Sequence, residues 1–190
     1  MPRSHATAAL EPPPTTLGLA LIGLVNAEPR TGYAVRMVFE RTPIGRFSSS
    51  PGSIYPALKR LEAQGLVEQR EGGDGARAFH ATDRGRQVLM AWLQRPVSPD
   101  DYDREPDLTL LRFAFLDAVA DTELTLRFLE SLQAAIKLSL AGLRAYLRGS
   151  DSQALTTHGR LAVEHGECVR ASALRWAQRA HATLQTTPRR

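Results

Sequence analysis

The chain has 190 residues, 43% hydrophobic and 23% charged, with a net charge of +4 and a pI near 9.7. This is the composition of one or two small globular domains with enough chain to bury a core, and it excludes a low-complexity or disordered polymer. The single cysteine, Cys168, excludes an internal disulfide framework; the longest apolar run, residues 17–25, is too short to cross a bilayer, and residues 1–3 open no secretory signal, so the expected location is the cytoplasm.

Residues 1–15 mix small, polar and proline residues, with Pro12-Pro13-Pro14 favouring an extended arm. Thr15 or Thr16 can then cap a first helix over residues 17–27, apolar nearly all round and stopped by Pro29. Thr31-Gly32-Tyr33 begins a second helix ending near Arg41, and Pro43-Ile44-Gly45 breaks the chain. The most informative stretch is next: Ser50-Pro51-Gly52-Ser53-Ile54-Tyr55-Pro56-Ala57-Leu58-Lys59-Arg60-Leu61-Glu62. At helical spacing Ile54, Ala57, Leu58, Leu61 and Gly65 share one arc, while Tyr55, Pro56, Lys59, Arg60 and Ala63 face the other way. Ser50 is the candidate cap, and Pro56 falls in the first turn, where no intrahelical N–H bond is lost.

After Gly65 the period changes. Residues 66–70 are β-compatible, Gly72-Gly73-Asp74-Gly75 is a turn and residues 77–81 form a return strand, giving a hairpin. Thr82-Asp83 caps a fourth helix over residues 84–93, with Val88, Leu89 and Trp92 at helical spacing. Three helices, a hairpin and a helix is the order of a winged helix-turn-helix, whose third helix enters the DNA major groove while the hairpin flanks it. Between residues 16 and 95 eleven basic residues face seven acidic ones, an excess equal to the net charge of the whole chain. Lysine occurs only at Lys59 and Lys137, so arginine carries most of this charge.

Residues 96–107 are turn-rich, acidic and aperiodic, and read as a linker. Residues 108–116 are almost continuously apolar, which points to burial between helices or between chains. Asp121 caps a long helix whose Leu129, Leu132, Ile136, Leu140, Leu143 and Leu147 form a stripe, Gly149-Ser150-Asp151 breaks it, and a last helix runs from about Gln153 to Leu184. The expected fold is mostly α with a small β-hairpin: a disordered arm (1–15), an N-terminal winged helix-turn-helix (16–95), a linker (96–107), a C-terminal three-helix dimerisation region (108–185) and a tail (186–190).

Three blocks carry a resemblance to the PadR family of bacterial transcriptional regulators: Thr31-Gly32-Tyr33, the stretch from Ser50 to Glu62 with Gly65-Leu66-Val67, and Thr82-Asp83-Arg84-Gly85. The middle block is long and specific. The return strand departs from the family pattern at Ala78-Phe79-His80 and Ala81, so on that strand only Arg77 is carried over. The resemblance implies a homodimeric repressor of adjacent genes that binds an inverted-repeat operator and is released by a small-molecule or stress signal. A winged-helix module for protein–protein contact, with no operator, is the competing reading.

On this basis Lys59 and Arg60 reach phosphates or guanine edges, Tyr55 a phosphate or a thymine methyl, and Ser50 and Ser53 offer hydroxyls and N-terminal N–H groups to a phosphate. Tyr33 is either a buried aromatic or a hydroxyl at the DNA backbone; Arg70 and Arg77 are either wing contacts or solvated strand ends. Leu111, Phe115, Leu132, Ile136, Leu140, Leu143 and Trp176 are the expected dimerisation residues. Trp92, Trp176, Phe113 and Phe115 line a ligand cavity or fill a core. His165 and Cys168, one turn apart, are two soft ligands that do not close a metal site. No nucleophile elbow, metal quartet, paired carboxylates or dinucleotide loop is present, so neither an enzyme nor a cofactor is expected.

Overall fold

The computed structural model describes residues 13–42, 51–71 and 76–186. These fold into eight α-helices and one antiparallel hairpin: α1 (Thr16–Ala27), α2 (Gly32–Arg41), α3 (Ile54–Ala63), β1 (Val67–Glu71), β2 (Arg77–Ala81), α4 (Asp83–Gln94), α5 (Pro99–Arg104), α6 (Pro106–Leu116), α7 (Thr122–Arg148) and α8 (Thr157–Thr186). The fold is thus mostly α with a small β-hairpin. Two compact units divide at Met90 and Ala91, inside α4. No described helix is long and apolar enough to cross a membrane.

In the first unit the helix starts follow from hydroxyl caps. Thr15 accepts from the Gly18 amide and Thr31 from the Ala34 amide, each satisfying a donor that a first turn leaves without a partner. Ala20, Leu21, Ile22 and Val25 of α1 pack into a core with Val35 and Phe39 of α2 and Ile54, Ala57, Leu58 and Leu61 of α3. A short 3-10 turn, Pro51–Ser53, leads into α3, and Ser53 occupies the N-cap position without a side-chain capping bond. The alternative cap, Ser50, lies outside the described residues, as do Pro43-Ile44-Gly45 and the turn Gly72-Gly73-Asp74-Gly75.

Gly65 is not part of the apolar arc of α3, as its spacing had suggested. It ends the helix. Its φ is +65°, its amide donates to the Glu62 carbonyl, and the Leu66 amide donates to the Leu61 carbonyl at 2.9 Å. This paired pattern requires a left-handed residue just past the helix, which glycine adopts without a Cβ penalty. The turn delivers buried Leu66 and Val67 into β1, which pairs with β2 from Val67↔Ala81 to Glu71↔Arg77. A third short strand completes the wing: Arg30 and Phe79 exchange backbone hydrogen bonds of 2.8 and 3.3 Å. Because that strand is one residue long, no periodicity marks it.

Thr82 binds α4 to the end of α3. Its hydroxyl donates to the Gly65 carbonyl at 2.7 Å and accepts from the Gly85 amide at 3.0 Å, and its own amide donates to the Leu66 carbonyl.

In the second unit, the segment expected to be an aperiodic linker holds α5. Ser98 and Asp101 form a reciprocal capping box, Pro99 sits in the first turn, and Tyr102 is buried. Six residues are too few to show a helical period, so the start signal was the readable one. α6 carries a buried charge that its apolar appearance concealed. Arg112 is 4% exposed, its guanidinium lies 5.8 Å from the Trp92 ring centre and 5.1 Å from that of Phe128, and it donates to the Arg95 carbonyl. Burial, with help from the nearby Arg95 charge, lowers its pKa to about 10, so it remains a cation at neutral pH, held by two aromatic faces.

α7 begins at Asp121, which accepts from the Leu124 amide, and buries Leu129, Leu132, Ile136 and Leu140, with Leu143 and Leu147 half-buried. α8 returns antiparallel to it, tied by Arg144 to Glu167 and His181 to Glu130. α8 starts at Thr157 rather than Gln153, because Ser150–Ala154 forms a 3-10 turn first. Gly142, inside α7, has open space where a Cβ would be. Gly142→Ala should therefore raise stability by about 0.5–1 kcal/mol, read as an increase in the midpoint of urea unfolding.

Candidate nucleic-acid interface

α3 presents the outward face that its spacing predicts. Ile54 and Leu58 are fully buried and Leu61 nearly so, while Tyr55, Pro56, Lys59, Arg60 and Ala63 are exposed. The charge on this face differs from that around it. Arg30 pairs with Glu28, Arg36 with Glu40, Arg70 with Glu68 and Arg86 with Asp83, and Arg84 donates to the Gln64 carbonyl. Among the described residues of the first unit Lys59, Arg60 and Arg77, and Arg41 at the end of α2, have no carboxylate partner. The basic excess of the first unit is therefore not spread evenly; its uncompensated part includes the outer side of α3 and the base of the hairpin. Uncompensated cations on one helix face can attract a polyanion with little cost in broken ion pairs.

Tyr55 stands against α2. A Cβ on Gly32 would lie 2.8 Å from Tyr55 Cε1 and 3.7 Å from the Phe79 ring, so only glycine leaves room for the phenol where α2, α3 and β2 meet. The ring remains 45% exposed, with its hydroxyl in a position to donate or accept. Tyr33 is 60% exposed, which excludes the reading of it as a buried core aromatic. The Arg36 guanidinium lies 5.5 Å from its ring centre, holding the phenol at the surface. The sequence reading missed both Gly32 as a spacer and Arg36 as a support. The first could have been found from its place inside Thr31-Gly32-Tyr33; the second depends on a contact between neighbouring turns of one helix, and Arg36 stands three residues after Tyr33.

The hairpin offers less than expected. Arg70 is engaged by Glu68, with Nε at 2.9 Å from Oε1, whereas Arg77 is exposed at the start of β2. Ser53 is half-buried and Ser50 lies outside the described residues. Tyr33, Tyr55, Lys59, Arg60 and Arg77 are thus the exposed members of the expected set. We expect Gly32→Ala to displace the Tyr55 ring and weaken duplex binding about tenfold while leaving the unfolding midpoint within a few degrees; fluorescence anisotropy and a thermal melt check the two halves.

Five of the seven expected dimerisation residues, Leu111, Phe115, Leu132, Ile136 and Leu140, are buried within the second unit itself, while Leu143 and Trp176 are half-buried. Phe113 packs edge-on against Trp176 and Trp92 against Phe115. Cys168 is exposed, and no group of three or more His, Cys, Asp or Glu side chains among the described residues could hold a metal ion.

Comparison with known proteins bears on the first unit above all. Residues 21–91 match the model of the Transcriptional regulator PadR-like family. Transcriptional regulator YqjI of Escherichia coli (strain K12) is 32% identical over 73 residues, covering 38% of this chain and 35% of that protein. Negative transcriptional regulator PadR of Bacillus subtilis (strain 168) is 29% identical over 124 residues, covering 62% of this chain and 65% of that one. The chain thus spans about a third of the first relative and about two thirds of the second. The crystal structure of Bacillus subtilis PadR in complex with p-coumaric acid is similar at 19% identity and a TM-score of 0.39, covering 93% of this chain and 99% of that one.

Proposed function

We infer that this chain, a member of the PadR-like family of transcriptional regulators through residues 21–91, is a DNA-binding regulator that represses genes adjacent to its own as a homodimer in the cytoplasm. The observation that carries this reading is the outward face of α3, where Tyr55, Lys59 and Arg60 are exposed and neither cation is paired among the described residues. α3 enters the major groove of an inverted-repeat operator. Lys59 and Arg60 bind phosphates or guanine edges, Tyr33 and Tyr55 flank them, and Arg77 holds the backbone beside the wing. Repression is favoured by the Bacillus subtilis relative, whose name describes a negative regulator.

Dimerisation is supported by α8. Of its thirty residues only Ala177 is buried, and Leu161 and Val169 on it, with Leu138 on α7, are exposed. One side of α8 packs on α7 and its outer side is uncovered in the single chain, so a second copy supplies the missing cover. A twofold dimer presents two α3 helices about 34 Å apart, one turn of DNA. An effector bound in the helical unit releases DNA if it binds the DNA-free arrangement more tightly. The protein itself carries out no catalytic step.

A gel-shift titration with the duplex upstream of the gene, set against a scrambled duplex at two salt concentrations, tests this. A regulator binds its own duplex at least about a thousandfold more tightly and loses affinity steeply with salt. An adaptor that docks on protein shows neither effect, and that result overturns the reading.

A further inference from the structure

Tyr33 is the second residue of α2 and one of the most exposed aromatic side chains in the chain; among the described residues its hydroxyl has no hydrogen-bond partner. A phenol so placed would turn freely about χ1, and that freedom would be lost on meeting a partner, at a cost in affinity. One side chain restricts it beforehand. Helical side chains lean toward the N-terminus, so Arg36 lies back over the preceding turn and sets its guanidinium over the Tyr33 ring. Glu40, one turn further on, pairs with Arg36 Nε at 3.3 Å, without the geometry of a hydrogen bond. Tyr33, Arg36 and Glu40 therefore line up along one side of α2, while Val35 and Phe39 are buried on the other.

We propose that Arg36 is a positioning residue for duplex binding: it holds the Tyr33 phenol ready for the phosphate backbone and makes no phosphate contact of its own. This rests on the regulator reading above, in which Tyr33 flanks the cations of α3. Charge separates the two roles. Arg36 is offset by Glu40, whereas Lys59 and Arg60 have no carboxylate partner among the described residues. A cation that stays with its own carboxylate displaces no counterion from DNA, so its loss leaves the salt dependence of binding where it was. What Arg36 supplies is pre-organisation, because a ring already held in one rotamer has less freedom to lose.

Two measurements on the full chain make the test. Relaxation of the ¹³C-labelled tyrosine rings, four in the chain, reads how firmly the Tyr33 ring is held without DNA, with Tyr33→Phe identifying its signal. Fluorescence anisotropy with the upstream duplex over a range of salt reads affinity. In Arg36→Ala the Tyr33 ring should become more mobile and affinity should fall about tenfold with an unchanged salt slope. The same substitution in a Tyr33→Ala background should lower affinity no further, and Arg36→Lys, which keeps a cation over the ring, should restore most of it. An unmoved ring, unchanged affinity, a loss that persists in Tyr33→Ala, or a slope that falls by about one per protomer would overturn the role of Arg36 and leave the regulator reading standing. No specific binding by the unaltered chain would overturn that reading and this role together.

Discussion

Lys59→Ala combined with Arg60→Ala is expected to lower affinity for the upstream duplex by at least about a thousandfold at moderate salt, since the proposed dimer would lose four proposed contacts worth about 1–3 kcal/mol each. The slope of log affinity against log salt should fall by about two per protomer, because that many fewer counterions are released. Both side chains are exposed on α3 while Ile54 and Leu58 on its other side stay fully buried, so the core is untouched and the oligomeric state by light scattering should not change. The charge-matched control is Arg127→Ala with Arg148→Ala on α7, also exposed. It removes the same net charge and should leave affinity within severalfold. A comparable loss in both variants would mean that overall charge, and not the α3 face, drives binding.

Gly85→Ala should destabilise the first unit by about 3–5 kcal/mol, the range reserved for steric conflict in a packed backbone. A Cβ there would sit 2.0 Å from the Leu66 carbonyl oxygen and 3.0 Å from its carbon, atoms held in the Schellman turn and in the hydrogen bond from the Thr82 amide. Neither side can yield by a rotamer change, since the obstruction is main chain. Chemical denaturation should show the loss directly. Operator binding should fail because α3 and the hairpin lose their common anchor, and lowering the temperature should partly restore it. Set beside the stabilising Gly142→Ala, this separates a glycine needed for a close approach from one that is merely tolerated.

The first unit was legible because each of its signals is local. Thr15 and Thr31 cap where a hydroxyl precedes an apolar run, and α3 alternates its two faces at a period the sequence displays. Gly65 was misassigned because helical spacing says nothing about where a helix ends; the left-handed turn that stops it is a property of the next two residues as well. Tyr33 could not be decided from sequence, since exposure at the second residue of α2 depends on what packs over it. In the second unit, periodicity found α7 but overlooked short α5, and it counted residues 108–116 as apolar although Arg112 lies buried among them. Leu129, Leu132, Ile136 and Leu140 of the α7 stripe are buried within a single chain, because apolar spacing marks burial without naming the chain that provides it. What is left over for a partner is visible only by subtraction: the exposed apolar residues of α7 and α8.

The most direct measurement is photo-crosslinking to the upstream duplex from p-benzoylphenylalanine placed at Tyr55, and separately at Leu138 on α7, which is 64% exposed. If the outer edge of α3 lies in a DNA groove, position 55 crosslinks to bases or sugars within two half-sites one helical turn apart, and position 138 does not. Crosslinks from position 138 with none from position 55, on a duplex the protein binds specifically, would contradict it.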